Sequence, residues 1–242
     1  MAGNWQALAD ATIRELKENV YPGRGIIIGL TPDGSRFMQV YWIMGRSENS
    51  RNRIFVEEEN GYLRTEAADP AKLSDPSLII YYPVRHTGGA HIVTNGDQTD
   101  TIYEALQQGG TFEGALATRT YEPDGPNFTP RISGVVDLGD KQNAYKLSIL
   151  KSNDNDESQT KRQYFHYEQA LAGYGHFIST YQGDGNPLPS FDGEPKLAPL
   201  FDSAEETTRF YWNLLNADNR ISLLVKTISR ESGEAQLTVL NK

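Results

Sequence analysis

The pattern of apolar and polar positions predicts four helices. In the first, Trp5, Ile13 and Leu16 belong to a set of apolar residues related by three- and four-residue steps, as on one face of a helix. In the last, Ser203 followed by Glu206 has the pattern of a capping box at a helix start. The helices are expected at residues 4–19, 99–108, 112–119 and 203–216.

Shorter apolar and β-branched runs predict strands over most of the remaining chain. Three consecutive isoleucines at positions 26–28 indicate a buried strand, and the turn residues Pro32 and Gly34 lead into its hairpin partner. The polar stretch at 152–161 is predicted to be a loop, and residues 183–199 are predicted to be irregular. The strands are expected at residues 25–30, 37–44, 53–57, 61–65, 77–84, 91–94, 131–138, 143–151, 162–168, 174–182, 221–229 and 235–241.

These elements indicate the α+β class. Strands joined by tight turns pair antiparallel, and we expect this of residues 131–138 with 143–151 and of 162–168 with 174–182. The helices do not follow every strand, which argues against a doubly wound parallel sheet. We therefore expect a single domain over residues 1–242, a four-layer αββα sandwich of two mostly antiparallel sheets with helices outside.

Composition narrows the class of function. The chain has 242 residues, no cysteine and a formal net charge of −9. These values exclude thiolate metal sites and cysteine nucleophiles and argue against a duplex-binding face. The four histidines lack the spacing of a zinc protease. The chain also lacks a membrane-spanning apolar run, and its start lacks the pattern of a signal peptide. We expect a cytoplasmic protein that uses no metal, nucleic acid or membrane.

Arginines concentrate at residues 45–53, between two predicted strands. This segment carries Arg46, Arg51 and Arg53 with Ser and Asn side chains, against the single acid Glu48. Arginine presents five donors in a fork that fits phosphate or carboxylate groups, so the segment fits an anion site. A solvated polar loop with surface ion pairs explains the same composition.

Three further segments leave a structural and a functional explanation open. Residues 94–100 run from a strand into a helix start, where Asn95 fits a ligand contact and Asp97 fits a helix cap. Glu122 and Asp124 lie in a proline-braced loop, either as a general acid or base or as turn acids. The acidic loop at 184–195 fits a binding loop or lid, or a plain surface loop.

Eight motifs in sequence order resemble the archaeal-type IMP cyclohydrolase family. They are YPGRG at 21–25, YWIMGRS at 41–47, NR at 52–53, TNG at 94–96, YEPD at 121–124, TPRI at 129–132, and the segments 77–83 and 186–195. The resemblance implies an Ntn-hydrolase-like fold and a homo-oligomer. It implies dehydrative closure of 5-formamidoimidazole-4-carboxamide ribotide to IMP, a cyclohydrolase reaction on a cyclic amidine, without a metal or organic cofactor. Against this family, the helix within residues 1–20 and the loop at 152–161 are additions.

The resemblance also implies roles for individual residues. Arg46, Tyr82 and Glu122 are the implied catalytic residues. Glu122 would take the carboxamide proton, and Arg46 or Tyr82 would stabilise charge on the formyl oxygen. Tyr81 and Tyr82 alternate faces in a strand, so we expect one of them in the pocket and favour Tyr82. The implied substrate-binding residues are Ser47, Asn52, Arg53, Asn95 and Arg131.

Two functions of other classes stay open. A non-catalytic protein on the same fold would bind a purine ribotide without turning it over. A nucleotide amidohydrolase on the same fold would release formate rather than water from the same substrate.

Overall fold

The computed structural model describes residues 4–58, 62–72, 76, 79–153 and 156–242. Its helices are α1 (Trp5–Glu18), α2 (Glu48–Arg51), α3 (Gln98–Gln107), α4 (Phe112–Ala117) and α5 (Ala204–Leu214), with a short 3₁₀ helix at Pro70–Lys72. Its strands are β1 (Gly25–Leu30), β2 (Arg36–Met44), β3 (Ile54–Glu57), β4 (Leu63–Glu66), β5 (Val84–Thr87), β6 (Ala90–Thr94), β7 (Arg131–Asp137), β8 (Tyr145–Asn153), β9 (Asp156–Tyr167), β10 (Tyr174–Ser179), β11 (Lys196–Pro199), β12 (Arg220–Ser229) and β13 (Ala235–Asn241).

The strands form two antiparallel sheets. The first has six strands in the order β11-β10-β1-β2-β12-β13, and the second has seven in the order β3-β4-β5-β6-β7-β8-β9. Within the first sheet β2 is central, pairing with β1 on one side and with β12 on the other. The predicted α+β class with two mostly antiparallel sheets is confirmed.

Alternation along the strands separates an inner core from two outer cores. Tyr41 and Ile43 of β2 face the second sheet, while Trp42 between them faces outward. The outward face of the first sheet packs against α1 and α5. The outward face of the second sheet packs against α3 and α4. The layers are therefore helices, sheet, sheet and helices, as expected.

Helix starts follow the capping residues in the sequence. Ser203 accepts a hydrogen bond from the Glu206 backbone N–H at the start of α5, and Asn4 accepts one from Ala7 at the start of α1. Each side chain satisfies a donor that would have no partner within its helix. No helix in the described part of the chain is long and apolar enough to cross a membrane.

The structure corrects two expectations for the strands. Most of the predicted loop at 152–161 lies in the β8–β9 hairpin, where Lys151 pairs with Lys161. These residues are polar because β9 is an edge strand whose side chains are largely in contact with solvent. The predicted pairing of 162–168 with 174–182 is wrong, since β9 pairs with β8 and β10 pairs with β1 in the other sheet.

Two further differences are local. In the predicted strand 77–84, residues 77 and 78 lie outside the described residues, and the strand itself begins only at Val84. Within the predicted irregular segment 183–199, the last four residues form β11 at the edge of the first sheet. The residues around this short strand are rich in proline and glycine, which predict irregular structure, so the sequence pattern does not indicate a strand here.

Candidate functional site

Four charged side chains are buried together at one end of the layer between the sheets. Arg24, Arg53, Glu122 and Arg131 are 7%, 5%, 3% and 6% exposed. Charged groups are almost never buried to this extent unless they are paired or bind a ligand. The cluster is therefore the strongest candidate for a functional site.

Strand ends bring these residues together. Arg24 lies immediately before β1, Arg53 immediately before β3, and Arg131 is the first residue of β7. Glu122 comes from the loop between α4 and β7, where its backbone N–H donates to the Thr129 carbonyl at 2.9 Å. Residues that lie far apart in the sequence thus meet where several strands begin.

Glu122 lies between arginine and amide donors. Its Oε2 is 4.0 Å from Arg24 Nη2, and its Oε1 is 3.4 Å from Asn95 Nδ2. Burial raises the pKa of Glu122 above its usual value, while the nearby guanidiniums of Arg24 and Arg131 act in the opposite direction. A carboxylate in such a setting is suited to accepting a proton from a bound ligand.

Asn95 and Arg131 are held by neighbouring side chains and backbone. Asn95 Oδ1 accepts hydrogen bonds from the Ile132 N–H and from Gln98 Nε2, both at 2.9 Å. Arg131 Nη1 donates to Asp97 at 2.6 Å and to Gln98 at 2.8 Å. A Cβ at Gly96 would lie 2.7 Å from Arg131 Nη1, so another residue at this position would require the guanidinium to shift.

Two of the guanidiniums retain unused donors. Arg24 Nε and both Nε and Nη1 of Arg53 are buried and have no hydrogen-bond partner among the described residues. Burial and the neighbouring charge of Arg24 lower the pKa of Arg53. A buried donor without a partner costs free energy, and an anionic or carbonyl-bearing ligand would satisfy these donors. The geometry therefore fits the recognition of such a ligand.

Tyr81, rather than Tyr82, lies beside this cluster. Its hydroxyl is 2.7 Å from that of Tyr41, and both Arg53 and Arg24 influence its pKa, which burial raises. Tyr82 lies elsewhere, with its hydroxyl 3.4 Å from Glu58. Residues 81 and 82 are not in a strand, but the side chains of the two tyrosines still have different surroundings. The structure thus differs from the expectation that Tyr82 faces the pocket.

The arginine segment divides into a buried part and a rim. Arg46 donates to Asp184 and to the Gly185 carbonyl, and it lies over the Tyr21 ring at 5.2 Å. Its side chain is 35% exposed. It therefore belongs to the rim of the site, at the acidic loop, rather than to its floor.

Two other predicted binding residues have local structural partners. Ser47 caps α2 by accepting a hydrogen bond from the Ser50 N–H. Asn52 exchanges two hydrogen bonds with the backbone of Asp69, at 2.9 and 2.7 Å. Neither contact points to a ligand. Of the predicted site residues, the structure brings Arg53, Asn95, Glu122 and Arg131 together.

Sequence reasoning missed Arg24 and Tyr41 as members of the site. Arg24 stands directly before β1, the fully buried strand that contains the run of three isoleucines. A charged residue next to such an apolar strand is the sequence signal that could have identified Arg24. Among the described residues, no three His, Asp or Glu side chains are grouped as metal ligands would be.

Comparisons with known proteins agree with the motifs. A family model described as IMP cyclohydrolase-like protein matches residues 21–233. The IMP cyclohydrolase of Methanopyrus kandleri is 34% identical over 122 residues, which are 49% of this chain and 59% of that protein. That of Methanococcus maripaludis is 30% identical over 139 residues, 56% of this chain and 65% of the relative.

A third relative gives the same picture. The IMP cyclohydrolase of Halobacterium salinarum is 31% identical over 121 residues, covering 48% of this chain and 57% of that protein. The chain thus spans less than two thirds of the length of these three relatives.

Proposed function

The chain belongs to the IMP cyclohydrolase-like family, and on that premise we propose that it closes 5-formamidoimidazole-4-carboxamide ribotide to IMP. The names of its relatives support this reaction. The observation that carries the proposal is the buried carboxylate of Glu122 among the guanidiniums of Arg24, Arg53 and Arg131.

The reaction needs a proton acceptor next to a poor nucleophile. The carboxamide nitrogen attacks the formyl carbon, and a C–N bond forms as the C=O double bond opens. The remaining C–O bond then breaks, and the oxygen leaves as water with one proton from the carboxamide nitrogen and one from the formamide nitrogen. Glu122 accepts the N–H proton and returns a proton to the departing oxygen. Its raised pKa suits both steps, because a more basic carboxylate accepts a proton more readily. Holding the two groups in contact supplies a further part of the rate.

Arginine and tyrosine donors stabilise the charge that develops on the formyl oxygen. The unpartnered Nε and Nη1 of Arg53 and the Nε of Arg24 supply N–H groups that are already desolvated. Tyr81 adds a hydroxyl that burial keeps protonated by raising its pKa. Asn95 and Arg131 orient Glu122 and the substrate from the other side.

The dianionic phosphate fits the rim rather than the floor. A cleft of about 410 Å³ there is lined by the cations Arg46, Arg51 and Lys72 and by the acids Glu48 and Asp69. Guanidinium groups bind phosphate with two parallel hydrogen bonds. With the phosphate at the rim, the buried guanidiniums of Arg24, Arg53 and Arg131 can contact the carboxamide and formyl groups that react.

The test is a product analysis with the purified protein. The formylated ribotide is incubated with the wild type, with and without a chelator, and the products are separated by chromatography. We expect IMP in both samples. A parallel preparation of Glu122→Gln controls for contaminating activity and is expected to form almost none.

Two other product patterns contradict the proposed reaction, and a third contradicts only the expected metal independence. Unchanged substrate that nevertheless binds would indicate a ribotide-binding protein without turnover. Formate and the deformylated ribotide would indicate an amidohydrolase. Loss of IMP only in the chelated sample would overturn metal independence while leaving the cyclisation itself. The homo-oligomeric state and the cytoplasmic location stay predictions.

A further inference from the structure

A second cavity lies at the opposite end of the layer between the sheets. Arg24 and the candidate site adjoin the C-terminal end of β2, where Gly25 pairs with Trp42. The second cavity opens at the other end of β2, beside Arg36, and has a volume of about 780 Å³. Strands of both sheets line it, so it is built into the sandwich.

Lys226 lies at the floor of this cavity. It is 3% exposed and lines the cavity from β12. Its neighbours on the same face of the strand, Leu224 and Ile228, belong to the inner core. The ammonium group of Lys226 forms no hydrogen bond or ion pair with any residue that the structure describes. A buried ammonium without a partner is strongly disfavoured. An anion bound beside Lys226 would therefore stabilise its charged form.

Two imidazoles stand next to the lysine. The rings of His86 and His91 are stacked, with centroids 5.8 Å apart. Burial and the charge of Lys226 lower the pKa of both, that of His91 to about 3. Both rings are therefore neutral near pH 7 and present an N–H donor without adding charge. His91 Nδ1 has no hydrogen-bond partner among the described residues.

The mouth of the cavity carries charges of both signs. Arg36 and Arg85 line it, and Arg85 is already paired with Asp100. The lining acids are Asp33, Glu57, Asp202 and Glu205. These acids would repel a polyanion such as a nucleic acid, whereas one compact anionic group can pass to the cation at the floor. The charge distribution therefore selects a small ligand.

We propose that this cavity is a second ligand site, in which Lys226 binds the carboxylate or phosphate group of a small organic anion. The neutral imidazole of His86, which lines the cavity, would contact the same group or the ligand body. The site is separate from the Glu122 cluster and does not depend on the reaction assigned there.

The experiment observes Lys226 itself. Protein labelled with ¹³C at the lysine ε-carbon is titrated with inorganic phosphate and, separately, with malonate, and lysine resonances are followed by NMR. The signal of Lys226 is identified by its absence in Lys226→Met. If that variant does not fold, Lys226→Arg serves the same purpose. The exposed Lys161 is the internal control.

We expect the Lys226 resonance to shift saturably with one of the two anions while that of Lys161 shifts little. Saturation at lower phosphate concentration would indicate a phosphorylated ligand, and the reverse order a carboxylate ligand. A Lys226 resonance that does not respond to either anion at concentrations up to about 20 mM would overturn the proposal. Because the resonance belongs to the Lys226 side chain, anion binding at the distant Glu122 cluster does not account for a saturable shift of this resonance.

Discussion

The two ends of the layer between the sheets bury cations of different kinds. At one end, Arg24 and Arg131 lie beside the carboxylate of Glu122. At the other, Lys226 lies in an open cavity without an acidic partner among the described residues. Arginine keeps its charge under nearly all conditions, whereas lysine loses its proton readily when it is buried. The cations at one end therefore keep their charge, whereas the cation at the other end titrates.

This difference separates a site suited to chemistry from one suited to binding. A fixed guanidinium cluster can stabilise a transient charge without rearranging, as catalysis requires. Burial lowers the pKa of Lys226 to about 7, so its charge depends on pH and on the presence of an anion. Substitutions at the two ends should consequently affect activity at one and stability at the other.

The largest effect is expected at Glu122. The substitution Glu122→Gln keeps the shape of the side chain but removes the proton acceptor, and we expect kcat for IMP formation to fall by about 10²–10⁴-fold. Steady-state kinetics on the purified variant measure this loss. The exposed Glu168 provides the control, and Glu168→Gln should retain wild-type rates. Equal losses in both variants would exclude a specific role for Glu122.

The pH profile gives an independent test of the same residue. Glu122 works as a base only when it is ionised, so activity should decrease as the pH falls through its pKa. Burial raises that pKa above the ordinary value of 4.5, and the acidic limb of kcat against pH should lie above this value. In Glu122→Gln the residual activity should lack this limb. If the acidic limb persists unchanged in Glu122→Gln, it reports the ionisation of a group other than Glu122.

At the opposite end, Lys226→Met should stabilise the protein. The pKa of Lys226 is lower in the folded chain than its ordinary 10.5, so the unfolded chain binds more protons between about pH 7 and 10.5. Wild-type stability should therefore rise with pH through this range, and the variant should lack that contribution. Near pH 7, we expect a gain of roughly 2–4 kcal/mol in the free energy of unfolding.

Denaturant unfolding at pH 7 and pH 10 measures both effects. The control is Lys161→Met, which removes an exposed lysine and should change stability little. If Lys226→Met is less stable than the wild type at pH 7, the lysine has a stabilising partner, and the contrast between the two ends does not hold.

The two adjacent tyrosines allow a matched comparison. Tyr81→Phe removes a buried hydroxyl beside Arg53 and leaves that of Tyr41 without its partner. We expect the rate of IMP formation to fall by about 10–100-fold. Tyr82→Phe makes the same chemical change beside Glu58, and its rate should stay within about threefold of the wild type. The reverse result would return the role to Tyr82.

The sequence predicted elements more reliably than their partners. Local patterns are sufficient for α1, for the three-isoleucine strand β1 and for the Ser203 cap of α5, because each depends on neighbouring residues. Pairing depends on the whole chain. The adjacent strands β9 and β10 were expected to pair, yet they lie in different sheets, where β9 pairs with β8 and β10 pairs with β1.

The same limit applies to the candidate site. Family motifs identified Glu122, Asn95 and Arg131, which the structure brings together. The choice between Tyr81 and Tyr82 rested on strand alternation in a segment that is not a strand at these positions. Lys226 lies within a strongly apolar strand, and only the three-dimensional arrangement reveals the cavity beside it.

The smallest effect is expected at the rim, for Arg46. Its partly exposed side chain donates to Asp184 and to the Gly185 carbonyl, and an exposed ion pair contributes only about 0–1 kcal/mol. We expect Arg46→Gln to raise KM by up to about tenfold and to change kcat by less than about threefold, as for a residue that binds phosphate and takes no part in the chemistry.

Asp184→Asn distinguishes the two explanations for such a change. It weakens the same contact to the acidic loop but leaves the guanidinium free to bind substrate. If Arg46 binds the phosphate, only Arg46→Gln should raise KM, and Asp184→Asn should leave KM unchanged or lower it. If Arg46 acts by tethering the loop, both variants should raise KM equally. Steady-state measurements at several ionic strengths sharpen the distinction, because salt screens a phosphate contact at this exposed rim more than the buried contacts around Glu122.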